Sequence, residues 1–129
     1  SCSSRQIGAF VKWIQQQDFY ENTTVILCGD HLTMAAEIGK DAPAGYNRTV
    51  YNCILNPAAE PEQSDGRVFT TMDMFPTTLA ALGVQIEGDR LGLGTNLFSG
   101  RPTLAEEIGY DALEENVSLH SKFMDSLAH

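Results

Sequence analysis

Two adjacent residues, Asp30 and His31, carry the most distinctive side-chain chemistry in this chain. They follow Gly29, directly after the β-branched and apolar run Thr23-Thr24-Val25-Ile26-Leu27-Cys28. A carboxylate oxygen beside a neutral imidazole nitrogen is a hard-to-borderline donor pair, suited to Mn²⁺ or Zn²⁺. In open α/β sheets, ligands gather beyond the carboxyl ends of the strands, where a chain leaving its strand turns neighbouring side chains into the crevice. The dipeptide also has a plainer reading, in which Asp30 caps the following turn and His31 is an ordinary loop histidine.

The remaining polar clusters point to architecture. Gly92-Leu93-Gly94 follows no strand and lacks the third glycine of a dinucleotide fingerprint, so it reads as a turn-rich loop. Thr103-x-x-Glu106 and Asp73-x-x-Pro76 are helix-start chemistry. His120 falls on the apolar side of a C-terminal helix and reads as a packed residue. Three glycosylation sequons begin at Asn22, Asn47 and Asn116, and so short a pattern arises by chance. No Gly-x-Ser-x-Gly elbow is present and no cysteine has a histidine partner in sequence, so no nucleophile is evident in the chain.

The elements that must position these residues follow from periodicity. Ile7, Phe10, Val11 and Ile14 form a helical apolar stripe that Ser3 or Ser4 can cap, and such a helix should lie on a sheet. Thr23–Cys28 reads as a strand covered on both faces, as in a parallel sheet. Leu32–Asn47 is a long loop, Thr49–Leu55 a second strand, and Ala58–Arg67 a polar surface connection. Asp73 is placed to cap a helix with Pro76 in its first turn, apolar positions Phe75, Leu79 and Leu82, and Gly83 as its stop. A glycine-rich loop over 88–100, a short helix from Thr103 to Gly109 and a last helix near Asp111–Leu127 complete the chain. This order predicts an α/β layer on a mostly parallel sheet flanked by helices. Two strands are few for a sheet that usually holds about four to six, so residues 1–129 read as one segment of a larger layered domain.

Composition narrows the function classes. The 129 residues are 43% hydrophobic and 19% charged, a globular balance. Eight basic against seventeen acidic residues give a net charge of −9, which disfavours nucleic acid as a partner. No apolar run exceeds four residues, far below the roughly 20 needed to span a bilayer, and no targeting segment is recognisable. Cys2, Cys28 and Cys53 are odd in number and form no Cys-x-x-Cys pair, which argues against a disulfide framework or a cysteine zinc site.

Four blocks, in order, resemble the C-terminal part of the sulfatase-like phosphoglycerol transferases of the alkaline phosphatase superfamily. They are Asn22 to His31, Asn47-Arg48-Thr49 leading a strand, Met72 to Gly83, and Leu91 to Ser99. The group includes lipoteichoic acid synthases and transferases that decorate periplasmic glucans. The likeness runs from about residue 5 to residue 109.

The resemblance implies that Asp30 and His31 are metal ligands, usually of Mn²⁺, with Zn²⁺ or Mg²⁺ as other candidates. It places Arg48 near the rim of the substrate site, and Asp73, Pro76 and Thr77 at a helix start. It further implies a threonine nucleophile and a glutamate upstream, a lipid-linked phosphoglycerol donor, a glycan or polyol acceptor, and a membrane-anchored parent whose catalytic domain lies outside the cytoplasm. Leu32-Thr33-Met34 is similar to the glucan transferases and Asn47-Arg48-Thr49 to the synthases, so the acceptor stays open. A sulfatase or phosphodiesterase of the same superfamily is the nearest rival, and a non-catalytic binding domain of that fold the rival of a different class. On any of these readings the 129 residues alone are expected to be catalytically silent.

Overall fold

The computed structural model describes residues 2–31, 49–119 and 126–127. The chain is mixed α/β and divides into two compact units, residues 1–57 and 58–129. No helix among the described residues is long and apolar enough to cross a membrane.

The first unit opens with α1, Cys2–Ile14, whose start at Cys2 precedes both serines proposed as its cap. Of its apolar stripe only Ile14 is buried, while Ile7 and Phe10 stand about half exposed. Phe10 instead stacks on Trp13, with ring centroids 6.0 Å apart. After a 3₁₀ turn at Tyr20–Asn22 come β1, Val25–Cys28, and β2, Asn52–Leu55. They pair antiparallel, Val25 opposite Leu55 and Cys28 opposite Asn52, where the sequence reading expects parallel neighbours. A continuous apolar run is common to parallel strands and to the core strands of antiparallel sandwiches, so the run does not fix strand direction and the parallel reading of it fails here. Of the β1 residues only Val25 is buried, so the two-sided cover expected of this strand is absent among the described residues. Asn56, at φ +52°, ends β2 and clasps the other end of the pair. Its amide donates to the carbonyls of Tyr20 (2.8 Å) and Thr23 (3.0 Å), and its own carbonyl accepts from the Thr24 hydroxyl.

The second unit is built around α2, Met74–Ala81. Its buried face is Pro76, Thr77, Ala80 and Ala81, whereas Phe75 and Leu82, expected to face inward, are exposed. Small side chains let the backbone of the following loop approach closely, and the Thr77 hydroxyl accepts the Leu97 amide at 3.0 Å. As expected, Gly83 ends this helix, with φ +87° and its amide on the Ala80 carbonyl.

Asp73 does more than start a helix. It is 2% exposed, and its two oxygens accept the Thr70 amide at 2.8 Å and the Thr95 amide at 2.7 Å. One carboxylate thereby fixes the 3₁₀ turn Thr71–Asp73 against β4, Gly94–Thr95, which forms a two-residue antiparallel hairpin with β3, Arg90–Leu91. A Cβ at Gly94 would collide with the Met72 carbonyl, so that approach requires glycine.

The capping box expected at Thr103 and Glu106 is present at the head of α3, Leu104–Ile108. Gly109, at φ +87°, separates it from α4, Tyr110–Ser118, which breaks at the extended Leu119; of the rest of the expected last helix, residues 120–125 lie outside the described residues and 126–127 are helical. His120 lies outside the described residues.

The carboxylate of Glu106 also holds Arg67, with Nε to Oε1 at 2.9 Å and Nη2 to Oε2 at 3.1 Å. The Arg67 side chain is only 7% exposed and also donates to the carbonyls of Ser99 and Arg101. Its hydrogen bonds, foremost, hold the Glu106 carboxyl down to about 2 from an ordinary 4.5, with the Thr103 and Val68 amides adding to the effect against the cost of burial. A depressed carboxyl pKa contributes stability that is complete above the unfolded-state value and is lost as pH falls through the folded-state value. Acid titration of the chain should therefore lose up to about 3 kcal/mol between roughly pH 5 and 2 from this group. Glu106→Gln should flatten that part of the pH profile measured by urea unfolding. An unchanged profile would show that the pair contributes nothing to acid stability.

Candidate metal centre

Asp30 and His31 sit where β1 gives way to loop. The last contact of the ladder is the Gly29 amide on the Tyr51 carbonyl at 2.8 Å, and the chain turns at His31. Glycine is required here by proximity. A Cβ at position 29 would lie 2.9 Å from the Val50 Cβ and 3.4 Å from the Tyr51 backbone, tighter than side chains tolerate. The absence of a side chain therefore lets β1 and the chain entering β2 close up immediately before the acidic residue.

Asp30 Oδ1 accepts the His31 amide at 2.9 Å, which leaves Oδ2 facing His31 Nε2 at 3.5 Å. In a tetrahedral site with bonds of about 2.0 to 2.2 Å, adjacent donor atoms stand about 3.3 to 3.6 Å apart, so the separation of the two atoms matches that of a shared cation and equally that of a direct His–Asp ion pair. The side chains are 86% and 59% exposed, respectively, and able to reach a ligand supplied from solvent or from another element. The turn that Asp30 would cap on the alternative reading begins in residues 32–48, which lie outside the described residues.

The pair supplies two donors, and an Mn²⁺ or Zn²⁺ site needs more. Among the described residues, no group of three or more His, Cys, Asp and Glu side chains could hold a metal. Arg48, expected at the rim, and His120 and His129 lie outside the described residues. The three cysteines are free thiols, and register puts Cys53 opposite Leu27 and Cys28 opposite Asn52, on opposite faces of the ladder. The donor chemistry thus fits one side of a divalent-cation site.

A residue the sequence reading passed over is Tyr51, whose carbonyl anchors Gly29. It is 70% exposed, and the nearby Cys53 thiol pushes its phenol pKa up. The signal available in sequence was slight: an aromatic residue two positions before a cysteine in a strand, on the same face by the two-residue repeat. Compared with known proteins, the chain matches no family model, no curated protein and no solved structure.

Proposed function

We infer that the chain is the C-terminal part of a metal-dependent phosphoglycerol transferase of the sulfatase-like type, and that Asp30 and His31 supply two ligands of its divalent cation. The observation that carries this reading is the geometry at the end of β1, with Asp30 Oδ2 and His31 Nε2 3.5 Å apart and exposed. It occurs within a sequence whose four ordered blocks resemble that family. On this reading β1 and β2 are two strands of a larger, mostly parallel layered sheet, with β2 running against the others.

Asp30 and His31 hold the cation, most simply Mn²⁺, with Zn²⁺ or Mg²⁺ as alternatives. When bound, it draws charge from the phosphate oxygens. The chain's own contribution is orientation: the His31 amide fixes the Asp30 carboxylate, and the close approach at Gly29 fixes the backbone that carries both. In the transfer, an upstream threonine oxygen bonds to phosphorus as the diacylglycerol oxygen departs with a proton. The acceptor hydroxyl oxygen then bonds to phosphorus, the threonine O–P bond breaks, and the acceptor proton passes to the threonine oxygen. Arg48 is placed by the resemblance at the rim, where a guanidinium suits a phosphate. The parent protein is membrane-anchored, with this domain outside the cytoplasm beside its lipid donor.

A phosphate diester is favoured over a sulfate ester because Leu32 follows the Asp-His pair where sulfatases commonly carry glycine. The full-length protein should release diacylglycerol from phosphatidylglycerol in the presence of MnCl₂ and leave p-nitrophenyl sulfate intact. Hydrolysis of the sulfate with no diacylglycerol released would move the protein to the sulfatases. Activity on neither would favour the binding-domain reading.

A further inference from the structure

We propose that Asp65 and Gly66 form a self-modification site: Asp65 passes through a cyclic imide to isoaspartate, Gln63 assists the step, and the product loosens the neighbouring Arg67 anchor. The site lies in the second unit and stands apart from the transfer reading.

Sequence and turn geometry single out this pair. Asp65 is the one Asp in the chain followed by glycine, and every other Asp precedes a residue with a side chain. The carboxyl carbon of an Asp lies within reach of the next amide nitrogen, and a side chain on that next residue crowds the approach. Gly66 has none, and its φ of +70° is a conformation that favours glycine. Gln63, Asp65 and Gly66 are all exposed, so water reaches the turn. Among the described residues, no hydrogen bond or ion pair engages the Asp65 carboxylate or the Gly66 amide, so neither group is held away from the other.

Gln63 adds a chemical contribution. Its Nε2 donates to the Asp65 carbonyl at 2.9 Å and lies over the turn, 3.7 Å from where a Cβ at Gly66 would stand. That carbonyl and the Gly66 nitrogen belong to one peptide unit. As the N–H ionises, negative charge spreads to the carbonyl oxygen, where the Gln63 donor stabilises it. The nitrogen then bonds to Cγ of the protonated Asp65 carboxyl, the Cγ–OH bond breaks, and hydroxide leaves, taking up the proton lost from nitrogen as water. A second water opens the imide at either carbonyl. Opening at Cγ restores Asp65. Opening at the main-chain carbonyl leaves the chain running through Cγ, longer by one methylene, with a free carboxylate on Cα.

The consequence falls on Arg67, the next residue, whose guanidinium is enclosed by Glu106 and the carbonyls of Ser99 and Arg101. Hydrogen bonds weaken steeply with misalignment, so an extra backbone atom leading into that anchor loosens the segments it joins.

The test is to age the purified chain in mildly acidic buffer, then treat it with an isoaspartate-specific carboxyl methyltransferase and labelled S-adenosylmethionine, and map the label on tryptic peptides. Label should accumulate on the peptide Thr49–Arg67 ahead of every other Asp-containing peptide. Asp65→Glu, which cannot close the same ring, should abolish it. Gln63→Ala should slow accumulation about three- to tenfold, the worth of one hydrogen bond. The labelled chain should unfold at lower urea than the fresh chain, while aged Asp65→Glu keeps its midpoint. No label on that peptide, label surviving Asp65→Glu, an unchanged rate in Gln63→Ala, or an unchanged urea midpoint in the labelled chain would each overturn the proposal.

Discussion

Asp30→Ala and His31→Ala, each made in the full-length protein, are expected to lower diacylglycerol release from phosphatidylglycerol by more than about 100-fold and to strip most of the bound metal. Loss of a residue that merely orients a ligand already costs about 10- to 100-fold, and these two are proposed as the ligands themselves. The fold should be indifferent. Both side chains are largely exposed and neither contributes to a buried cluster, so unfolding midpoints should move by no more than about 0.5 kcal/mol equivalent. Metal analysis of the purified variants is the deciding measurement, since a defect in turnover alone could arise from substrate contacts. Variants that keep near-normal metal content and turnover would remove the pair from the active site. The isolated 129 residues give the complementary result. Among the described residues no third or fourth ligand joins the two neighbouring donors, so calorimetric titration with MnCl₂ should show no tight binding. Stoichiometric tight binding abolished by Asp30→Ala would mean that the chain contains a whole site.

The second large effect is one of stability and lies in the other unit. Asp73→Ala removes the acceptor for two backbone amides, those of Thr70 and Thr95, the latter fully buried. Each stranded donor costs about 1 to 3 kcal/mol, and a cavity adds to this, so the loss should reach about 3 to 5 kcal/mol. Asp73→Asn keeps one acceptor oxygen and should cost roughly half as much. Urea unfolding of the chain followed by circular dichroism measures both. A loss below about 1 kcal/mol for the alanine variant would mean that water or a rearranged loop replaces the carboxylate.

These two sites differ in how far they could be read from sequence. Asp30 and His31 declare themselves through residue type and adjacency, both local properties. The Thr103–Glu106 box and the Gly83 stop are local too, and the structure has them where the spacing puts them. Asp73 shows why partners at a distance are harder. Its neighbour Thr70 lies within one turn, but its second amide belongs to Thr95, and no periodicity connects the two. Arg67 is the clearest case. It closes a stretch of Pro, Gly and polar residues that reads as surface, yet its guanidinium is almost fully enclosed by groups from 32 to 39 residues later in the chain. The inward face of α2 misled for a different reason. Hydrophobicity marked Phe75 and Leu82, whereas close approach of backbone favoured the small residues beside them.

The Arg67 cluster has a consequence for how the second unit comes apart. One guanidinium and one carboxylate join the segments at 67–68, 99–101 and 103–106 through hydrogen bonds that share the same two side chains. No one of these segments can peel away without stranding donors or acceptors that belong to the other two. Fraying there is therefore collective: the stretches form a single opening unit, and a fluctuation that exposes the Val68 amide to solvent exposes that of Thr103 at the same moment.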